Sequence, residues 1–420
     1  MSHSKHFRVL GLLVLVSLAG RWEARAQNTQ GQDGGQINKV FVIALENHNW
    51  TQPANQFSGP IQQIFQNPNA PFINSLVNGT AVVTINGRQV NLSQHVAYAS
   101  NYNNVLATAS GNNAHVHPSE PNYVWAEAGY NFRIGNDDDP FVPNGTTNQV
   151  NNLDNQLHLT GLLAQAGRTW KSYQEDVDLT TVNGQLTNVP LPNNQWTVPI
   201  TSFSGNFAAG VNQFNGSTQY NYAVKHNPMV FFTDTNGGDD PTTANPLSHQ
   251  YAPLQQLFVD LANNAVADYN WITPDQYNDM HTALAAGFMG LTGDAANIKQ
   301  GDNFLSLIIP QIMASQAYKN NGAIILWWDE SEGDAAGDNA DDFNHTIGEI
   351  VISPLAHPNV SGLPFASSVP LTHSSDLRTL QEIFNVTKPF FLGDAIHATD
   401  LSSLFVDGAV PNSNQNQNQQ

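Results

Sequence analysis

The segment GAIILWWDE, residues 322–330, joins an unbroken apolar run to two adjacent carboxylates. An apolar run of this length, rich in β-branched and aromatic residues, is typical of a strand buried on both faces of a parallel sheet. A second segment, KVFVIALEN at residues 39–47, repeats the pattern and ends in a carboxylate and an amide. Because ligands of open α/β sheets bind at the carboxyl ends of the strands, both segments predict a site at one edge of such a sheet.

Helical and strand patterns alternate along the rest of the chain. Further strands are predicted at residues 168–176, 229–232, 269–274 and 348–354. Helices are predicted at residues 71–77, 157–166, 254–265, 304–315 and 377–384, and a hairpin at 81–90. Residues 91–109 show neither pattern. The alternation predicts an α/β fold, with a mainly parallel sheet covered by helices on both faces.

The composition narrows the possible functions. The 420 residues include 34 acidic and 14 basic side chains, which give a formal net charge of −20. Nucleic-acid binding is disfavoured, because a phosphate backbone requires a basic surface. The chain contains no cysteine, which excludes disulfides and zinc sites built on thiolates. Any bound metal must therefore be held by histidine, carboxylate, amide or hydroxyl groups.

The amino terminus has the pattern of a secretory signal. Lys5 and Arg8 precede an apolar core at residues 9–19, and Ala24-Arg25-Ala26 provides a small-x-small cleavage site. The core is shorter than the roughly 20 residues that span a bilayer, so no stable membrane insertion is expected. We expect residues 1–26 to be a signal peptide and the protein to be secreted, to an extracellular or periplasmic location.

No change in composition marks a second domain. We expect a single domain over residues 37–408, followed at 409–420 by a disordered polar tail rich in Asn and Gln. Residues 178–219 are rich in Asn, Thr, Gly and Pro and are expected to form an excursion on the substrate side. The acidic run at 135–140 lacks the spacing and the terminal Glu of an EF-hand loop, which favours a solvated loop.

The segment HVHPSEPNY, residues 115–123, places a serine between two prolines. Pro118 and Pro121 restrict the backbone, so Ser119 is expected on a turn and not within a strand. A helix that begins here would direct free N–H groups and the positive end of its dipole toward a bound phosphate. The alternative is a serine that only caps the helix, because serine is a preferred N-cap residue.

Potential metal ligands follow several of the predicted strands. They are Glu46 and Asn47; Asp275, Asp279 and His281; Asp329 and Glu330; and His345 and His373. Two adjacent carboxylates after a buried strand repel each other unless a cation lies between them or both turn into solvent. Together these residues predict a cation pocket at the sheet edge, with Ser119 nearby as a nucleophile whose hydroxyl the metal activates.

The ordered set of motifs resembles the phosphoesterase family, which contains secreted bacterial phospholipases C and acid phosphatases and lies within the alkaline phosphatase superfamily. The motifs are Glu46-Asn47, His117 to Tyr123, Lys225 to Pro228, Thr273-Pro274, Asn278 to His281, Trp328 to Glu330 and His373-Ser374. The resemblance covers residues 40–384. It implies a three-layer α/β/α sandwich like that of alkaline phosphatase, and hydrolysis of phosphate esters through a phosphoserine intermediate.

The resemblance also implies roles for individual residues. The expected catalytic residues are Ser119, His281, His345 and His373. The expected substrate-binding residues are Asn122, Lys225 and His226. The expected ligands of one or two divalent metal ions are Glu46, Asn47, Ser119, Asp279, Asp329 and Glu330.

Three hypotheses about function follow from this resemblance. The first is a secreted metal-dependent acid phosphatase that hydrolyses phosphomonoesters. The second is a phospholipase C or another phosphodiesterase, which would use the same chemistry on a lipid or small-molecule phosphate ester. The third is a secreted binding protein on the same fold without catalytic activity. The presence of Ser119 together with Asp329 and Glu330 argues against the third hypothesis.

Overall fold

The computed structural model describes residues 35–51, 63–104, 118–140, 151–331, 346–359 and 361–411, which are arranged around an eight-stranded sheet. The strands of this sheet, numbered along the chain, are β1 (Lys39–Leu45), β2 (Val96–Ala99), β3 (Trp170–Gln174), β4 (Tyr251–Pro253), β5 (Tyr269–Thr273), β6 (Gly322–Trp328), β7 (Glu349–Ile352) and β8 (Phe365–Ser367). The bounds of β1 and β6 coincide with the two apolar runs that predicted them.

Seven of the eight strands run in one direction. The strand order is β4-β3-β5-β1-β6-β7-β2-β8, and the first five of these pair in parallel. Strand β7 pairs antiparallel with β6 and with β2, whereas β2 and β8 pair in parallel. The predicted mainly parallel sheet is thus confirmed. Strands β1 and β6 are in register from Lys39 opposite Gly322 to Leu45 opposite Trp328, so they end level at one edge.

Helices cover both faces of the sheet. They are α1 (Pro71–Val77), α2 (Ser119–Ala128), α3 (Leu159–Gln165), α4 (Thr233–Asn236), α5 (Gln255–Ala262), α6 (Asp294–Ala314), α7 (Gln316–Lys319) and α8 (His373–Ile383). Helices α1, α5 and α7 pack against α6, while α3 and α8 pack against α2. All residues of β6 are buried, which requires a covering layer on each face. The three-layer α/β/α sandwich is confirmed.

Short two-stranded ribbons and single helical turns complete the described structure. The ribbons are Val82–Ile85 with Arg88–Asn91, Leu179–Val182 with Gln185–Pro190, Phe203–Asn206 with Gln219–Tyr222, Asn49–Thr51 with Thr346–Ile347, and Tyr102–Asn103 with Leu371–Thr372. The 3₁₀ turns are Asn193–Gln195, Val224–His226, Pro228–Phe231, Ser248–Gln250, Gly393–Ile396 and Leu401–Leu404. The predicted hairpin at 81–90 is confirmed, with Asn86-Gly87 at its turn.

Two local predictions were wrong. The apolar run at 229–232 was predicted as a strand but lies mostly in the 3₁₀ turn Pro228–Phe231, because Pro228 occupies the first helical position and fixes φ there. Residues 91–109 were predicted as irregular, yet β2 lies within them. The four residues of β2 do not alternate between apolar and polar side chains, so the local sequence does not indicate a strand. The strand forms because it pairs with β7 and β8.

The carboxyl-terminal boundary also differs from the prediction. Ala409 and Val410 are buried, and the Ala409 carbonyl accepts a hydrogen bond of 3.0 Å from the Ile37 amide, so these residues belong to the fold and not to a polar tail. Residues 412–420 and the predicted signal peptide at 1–26 lie outside the described residues. Among the helices that are described, none combines the length and hydropathy needed to cross a bilayer.

Candidate active site

The carboxyl ends of three neighbouring strands, β5, β1 and β6, bring predicted site residues together. Glu46 follows β1, and its backbone N–H donates to the Asp279 carbonyl at 2.8 Å. Asn47 donates its backbone N–H to Asp329 Oδ1 at 3.0 Å. The Asp329 N–H in turn donates to the Leu45 carbonyl at 3.1 Å, which continues the parallel ladder beyond β6. Side chains separated by hundreds of residues therefore meet at one sheet edge, as the sequence predicted.

Helix α2 brings Ser119 to this edge. Ser119 is its first residue and Pro118 its N-cap. The Ser119 hydroxyl lies 2.9 Å from Glu46 Oε2 and 3.3 Å from Glu330 Oε1. Because the hydroxyl faces these carboxylates, the alternative of a serine that only caps the helix was wrong. A hydroxyl has one proton, so it donates to one carboxylate at a time.

Lys225 approaches the same hydroxyl from a 3₁₀ turn. Its Nζ lies 3.3 Å from Ser119 Oγ and 3.0 Å from Asp137 Oδ2. Burial lowers the pKa of Lys225, but the carboxylates of Glu46 and Asp137 outweigh this effect and raise its pKa above the ordinary value. The side chain is therefore a fixed positive charge beside the hydroxyl.

His226 lies between two carboxylates of the site. Its Nε2 is 3.2 Å from Glu46 Oε1, and its Nδ1 is 3.2 Å from Asp279 Oδ2. Burial, with smaller contributions from Lys225 and His281, lowers the pKa of His226 well below its ordinary value. A neutral imidazole has one bare nitrogen, which in either tautomer faces a carboxylate oxygen. Two lone pairs at this distance repel each other, and a cation between them would relieve the repulsion.

The buried carboxylates support the same interpretation. Burial raises the pKa of Glu46 to about 7, and burial together with the Glu46 charge raises the pKa values of Asp279 and Asp329 well above their ordinary range. Among the described residues, neither Asp329 Oδ2 nor Asn47 Oδ1 has a hydrogen-bond partner, although both atoms are buried. Buried oxygen atoms without donors are costly unless a ligand compensates them. The chemistry of these donors therefore fits a divalent cation.

The remaining predicted residues occupy different positions. Asn122 donates to Glu330 Oε2 at 3.3 Å, so it lies at the site. The His281 ring centroid is 6.2 Å from that of His226, and burial lowers the His281 pKa to about 4. His373 donates through Nε2 to the Trp328 carbonyl at 3.1 Å, and burial lowers its pKa to about 3. His345 lies outside the described residues.

Two further residues, Tyr123 and Asp137, contact the site, and neither was predicted from the sequence as a site residue. Tyr123 donates its hydroxyl to Glu46 Oε1, and its ring stacks on His226 with centroids 5.0 Å apart. It lies one helical turn after Ser119, a spacing that places both side chains on one face of α2 and could have revealed it. Asp137 belongs to the acidic run that was interpreted as solvated, and no local signal connected it to Lys225.

The chain matches the family described as the Phosphoesterase family over residues 15–387. It is 22% identical over 216 residues to a phosphate-repressible acid phosphatase of Penicillium chrysogenum, a segment that covers 51% of this chain and 39% of that protein. It is 26% identical over 215 residues to an acid phosphatase of Aspergillus fumigatus, which covers 51% and 36% respectively. The chain therefore spans less than two fifths of the length of these curated relatives.

The matches among solved structures are more distant. A Vibrio parahaemolyticus protein in the alkaline phosphatase superfamily aligns with a TM-score of 0.40 and 11% identity, over 83% of this chain and 67% of that one. A Bacteroides thetaiotaomicron protein described with the metabolism of multiple glycosaminoglycans aligns with a TM-score of 0.43 and 12% identity, over 90% and 83%.

Proposed function

The chain belongs to the phosphoesterase family, and from this premise we propose that it is a phosphoric ester hydrolase of the acid phosphatase type with Ser119 as its nucleophile. The observation that carries the proposal is the environment of Ser119 Oγ. Two carboxylates, Glu46 and Glu330, lie within 3.3 Å of the hydroxyl, and so does the Lys225 ammonium. A buried serine between acceptors and a fixed cation is suited to attack an anionic phosphate.

The proposed reaction has two displacements. The Ser119 hydroxyl passes its proton to a neighbouring carboxylate and its Oγ forms a bond to phosphorus, while the bond from phosphorus to the ester oxygen breaks and the departing alcohol receives a proton. Water then attacks the phosphoserine, which releases inorganic phosphate and restores the hydroxyl. Lys225 binds phosphate oxygens as negative charge shifts in each step, and Asn122 and His226 are further proposed contacts. His345 is the proposed proton donor, and His281 and His373 keep their proposed catalytic roles.

A divalent cation is part of the proposal. Its proposed ligands are Glu46, Asn47, Ser119, Asp279, Asp329 and Glu330. When bound, such an ion lowers the pKa of a coordinated hydroxyl and neutralises phosphate oxygens. The buried Asp329 Oδ2 and Asn47 Oδ1, which have no hydrogen-bond partner among the described residues, support this assignment. The signal-like pattern at residues 1–26 supports a secreted enzyme.

The test is the variant Ser119→Ala, assayed by release of p-nitrophenol from p-nitrophenyl phosphate. We expect kcat to fall by roughly three orders of magnitude or more, as happens when a nucleophile is removed. Ser353→Ala is a matched control, because Ser353 is also a buried serine but donates to the Gly322 carbonyl at the opposite end of β6. Both variants should keep the melting temperature within a few degrees. Full activity in Ser119→Ala would refute the nucleophile assignment.

A substrate panel distinguishes the finer alternatives. Sugar phosphates and nucleotides represent phosphomonoesters, whereas phosphatidylcholine represents the phospholipase C hypothesis. We expect the monoesters to show the higher kcat/KM. Faster hydrolysis of phosphatidylcholine would favour the phosphodiesterase hypothesis over the phosphomonoesterase hypothesis. Failure to hydrolyse any phosphate ester would favour the hypothesis of a non-catalytic binding protein.

A further inference from the structure

A second cluster of buried carboxylates lies beside the candidate active site. Glu175 and Asp176 directly follow β3, and Asp275 follows β5, the neighbouring parallel strand. The three residues are 3%, 2% and 1% exposed, respectively. One oxygen from each can be chosen so that all three atoms lie within 4.8 Å of one another. None of these residues has a role in the proposed hydrolysis.

Neutral donors fix the orientation of this cluster. Glu175 accepts hydrogen bonds from Asn212 Nδ2 at 2.7 Å, from Asn278 Nδ2 at 3.1 Å and from the Asp275 backbone N–H at 2.9 Å. Asp176 accepts from the Asn221 backbone N–H at 3.0 Å. These donors are amides, and none of the described contacts of the cluster comes from Lys or Arg. The active site differs in this respect, because Lys225 balances part of its charge.

Asp275 Oδ2 provides an independent indication of a ligand. Asp275 is nearly completely buried, and its Oδ1 accepts from the backbone N–H groups of Tyr277 and Asn278 at 3.1 and 2.9 Å. Its Oδ2 has no hydrogen-bond donor among the described residues. A buried carboxylate oxygen without a donor loses its hydration and gains nothing in return. Either a cation or a proton shared with Asp176 must compensate it.

We propose that Glu175, Asp176 and Asp275 form a second cation site, distinct from the catalytic one, that binds Ca²⁺. The site offers only carboxylate and amide oxygens, which are the ligands of hard cations. Two oxygens that are each 2.3–2.6 Å from one Ca²⁺ are at most about 5 Å apart, and the 4.8 Å limit of the cluster fits this requirement. A cation also neutralises three carboxylates more completely than one shared proton does.

The surroundings of the cluster suggest a role. Asp176 is one of the residues that line a cavity of about 470 Å³, whose wall also includes Phe203 and Tyr220. The Asp279 N–H donates to the Asp275 carbonyl at 2.9 Å, which connects this cluster to a proposed catalytic ligand. The ion holds the end of β3, the end of β5 and the Asn212 to Asn221 segment together, and its role is structural.

The test measures Ca²⁺ stoichiometry by isothermal titration and elemental analysis after removal of bound metal with a chelator. The Asp329→Asn protein is used, because that substitution removes a proposed ligand of the catalytic ion. We expect this protein to bind one Ca²⁺ per chain and to melt at a higher temperature when Ca²⁺ is added. The double variant with Asp329→Asn and Asp275→Asn should neither bind Ca²⁺ nor melt at a higher temperature when Ca²⁺ is added.

Glu349→Gln is the matched control. Glu349 is also a buried acid without a hydrogen-bond donor among the described residues, but within the described part of the chain the only carboxylate that raises its pKa is that of Asp376. This variant should keep the bound Ca²⁺. If the protein with Asp275→Asn does not fold, Asp176→Asn is introduced into the Asp329→Asn protein in its place. The number of Ca²⁺ ions bound by the Asp329→Asn protein alone still tests whether the second site exists. No Ca²⁺ bound to Asp329→Asn, or Ca²⁺ retained after Asp275→Asn, would overturn the proposal whatever the outcome for Ser119.

Discussion

Asp137 accepts hydrogen bonds from two donors that the proposed phosphate substrate would need. Its Oδ2 lies 3.0 Å from Lys225 Nζ, and its Oδ1 accepts from the Glu120 backbone N–H at 3.1 Å. Glu120 follows Ser119 at the start of α2, where free N–H groups and the helix dipole favour an anion. A phosphate that approaches Ser119 therefore competes with the Asp137 carboxylate for both donors. We expect Asp137→Asn to strengthen phosphate binding.

The size of this effect follows from the two contacts. The ion pair with Lys225 is partly exposed and contributes about 0.2–1 kcal/mol. The negative charge of Asp137 strengthens its hydrogen bond with the Glu120 backbone N–H by about 1 kcal/mol. Asparagine at this position can still accept the hydrogen bond, but without this additional strength. The sum, about 1–2 kcal/mol, corresponds to a factor of roughly 5–30 in affinity. The inhibition constant of inorganic phosphate and the KM for p-nitrophenyl phosphate should both fall by about this factor.

The assay is steady-state hydrolysis of p-nitrophenyl phosphate with inorganic phosphate as a competitive inhibitor. Asp138→Asn serves as the control, because Asp138 lies in the same loop but accepts from Asn136. It should leave KM unchanged. A higher KM in Asp137→Asn would refute the competition argument and show that the carboxylate positions Lys225 for the substrate.

Three further predictions test other parts of the account. Tyr123→Phe removes the hydroxyl that lowers the Glu46 pKa, so kcat/KM should fall about tenfold and its acid limb should move to higher pH. A chelator should abolish hydrolysis and added divalent metal should restore it; unchanged activity without bound metal would remove the cation from the mechanism. Burial raises the pKa of Asp376 to about 7, so the native state holds a proton that the unfolded chain loses near pH 4. Urea unfolding should therefore show that wild type loses stability relative to Asp376→Asn as pH rises from 4 to 7.

Long apolar strands were predictable, because a strand that is buried on both faces needs apolar side chains at consecutive positions. Strands β1 and β6 show this most clearly, and their polar ends predicted that Asn47 and Asp329 lie close together. Strand β2 was not predictable from its four residues, because its order comes from pairing with distant strands. The local sequence pattern therefore predicts a strand only when the strand itself contains a long enough run of apolar residues.

The candidate site shows the same limit. Carboxylates directly after strands could be placed at the sheet edge, because strand direction determines where they lie. The loop residue Asp137 could not be placed beside Lys225, since 87 residues and several turns separate them. The second carboxylate cluster was also missed: Asp275 was considered only with the active site, and Glu175 and Asp176 were only the last two residues of a predicted strand. The strand order, which places β3 beside β5, was needed to bring them together.

The most direct test of the central claim is detection of the phosphorylated enzyme. The protein is mixed with p-nitrophenyl phosphate, quenched in acid, and digested for peptide mass spectrometry. We expect one phosphoryl group on Ser119, and none anywhere in the Ser119→Ala protein. Turnover without phosphorylation of Ser119, or a phosphoryl group on another residue, would contradict it.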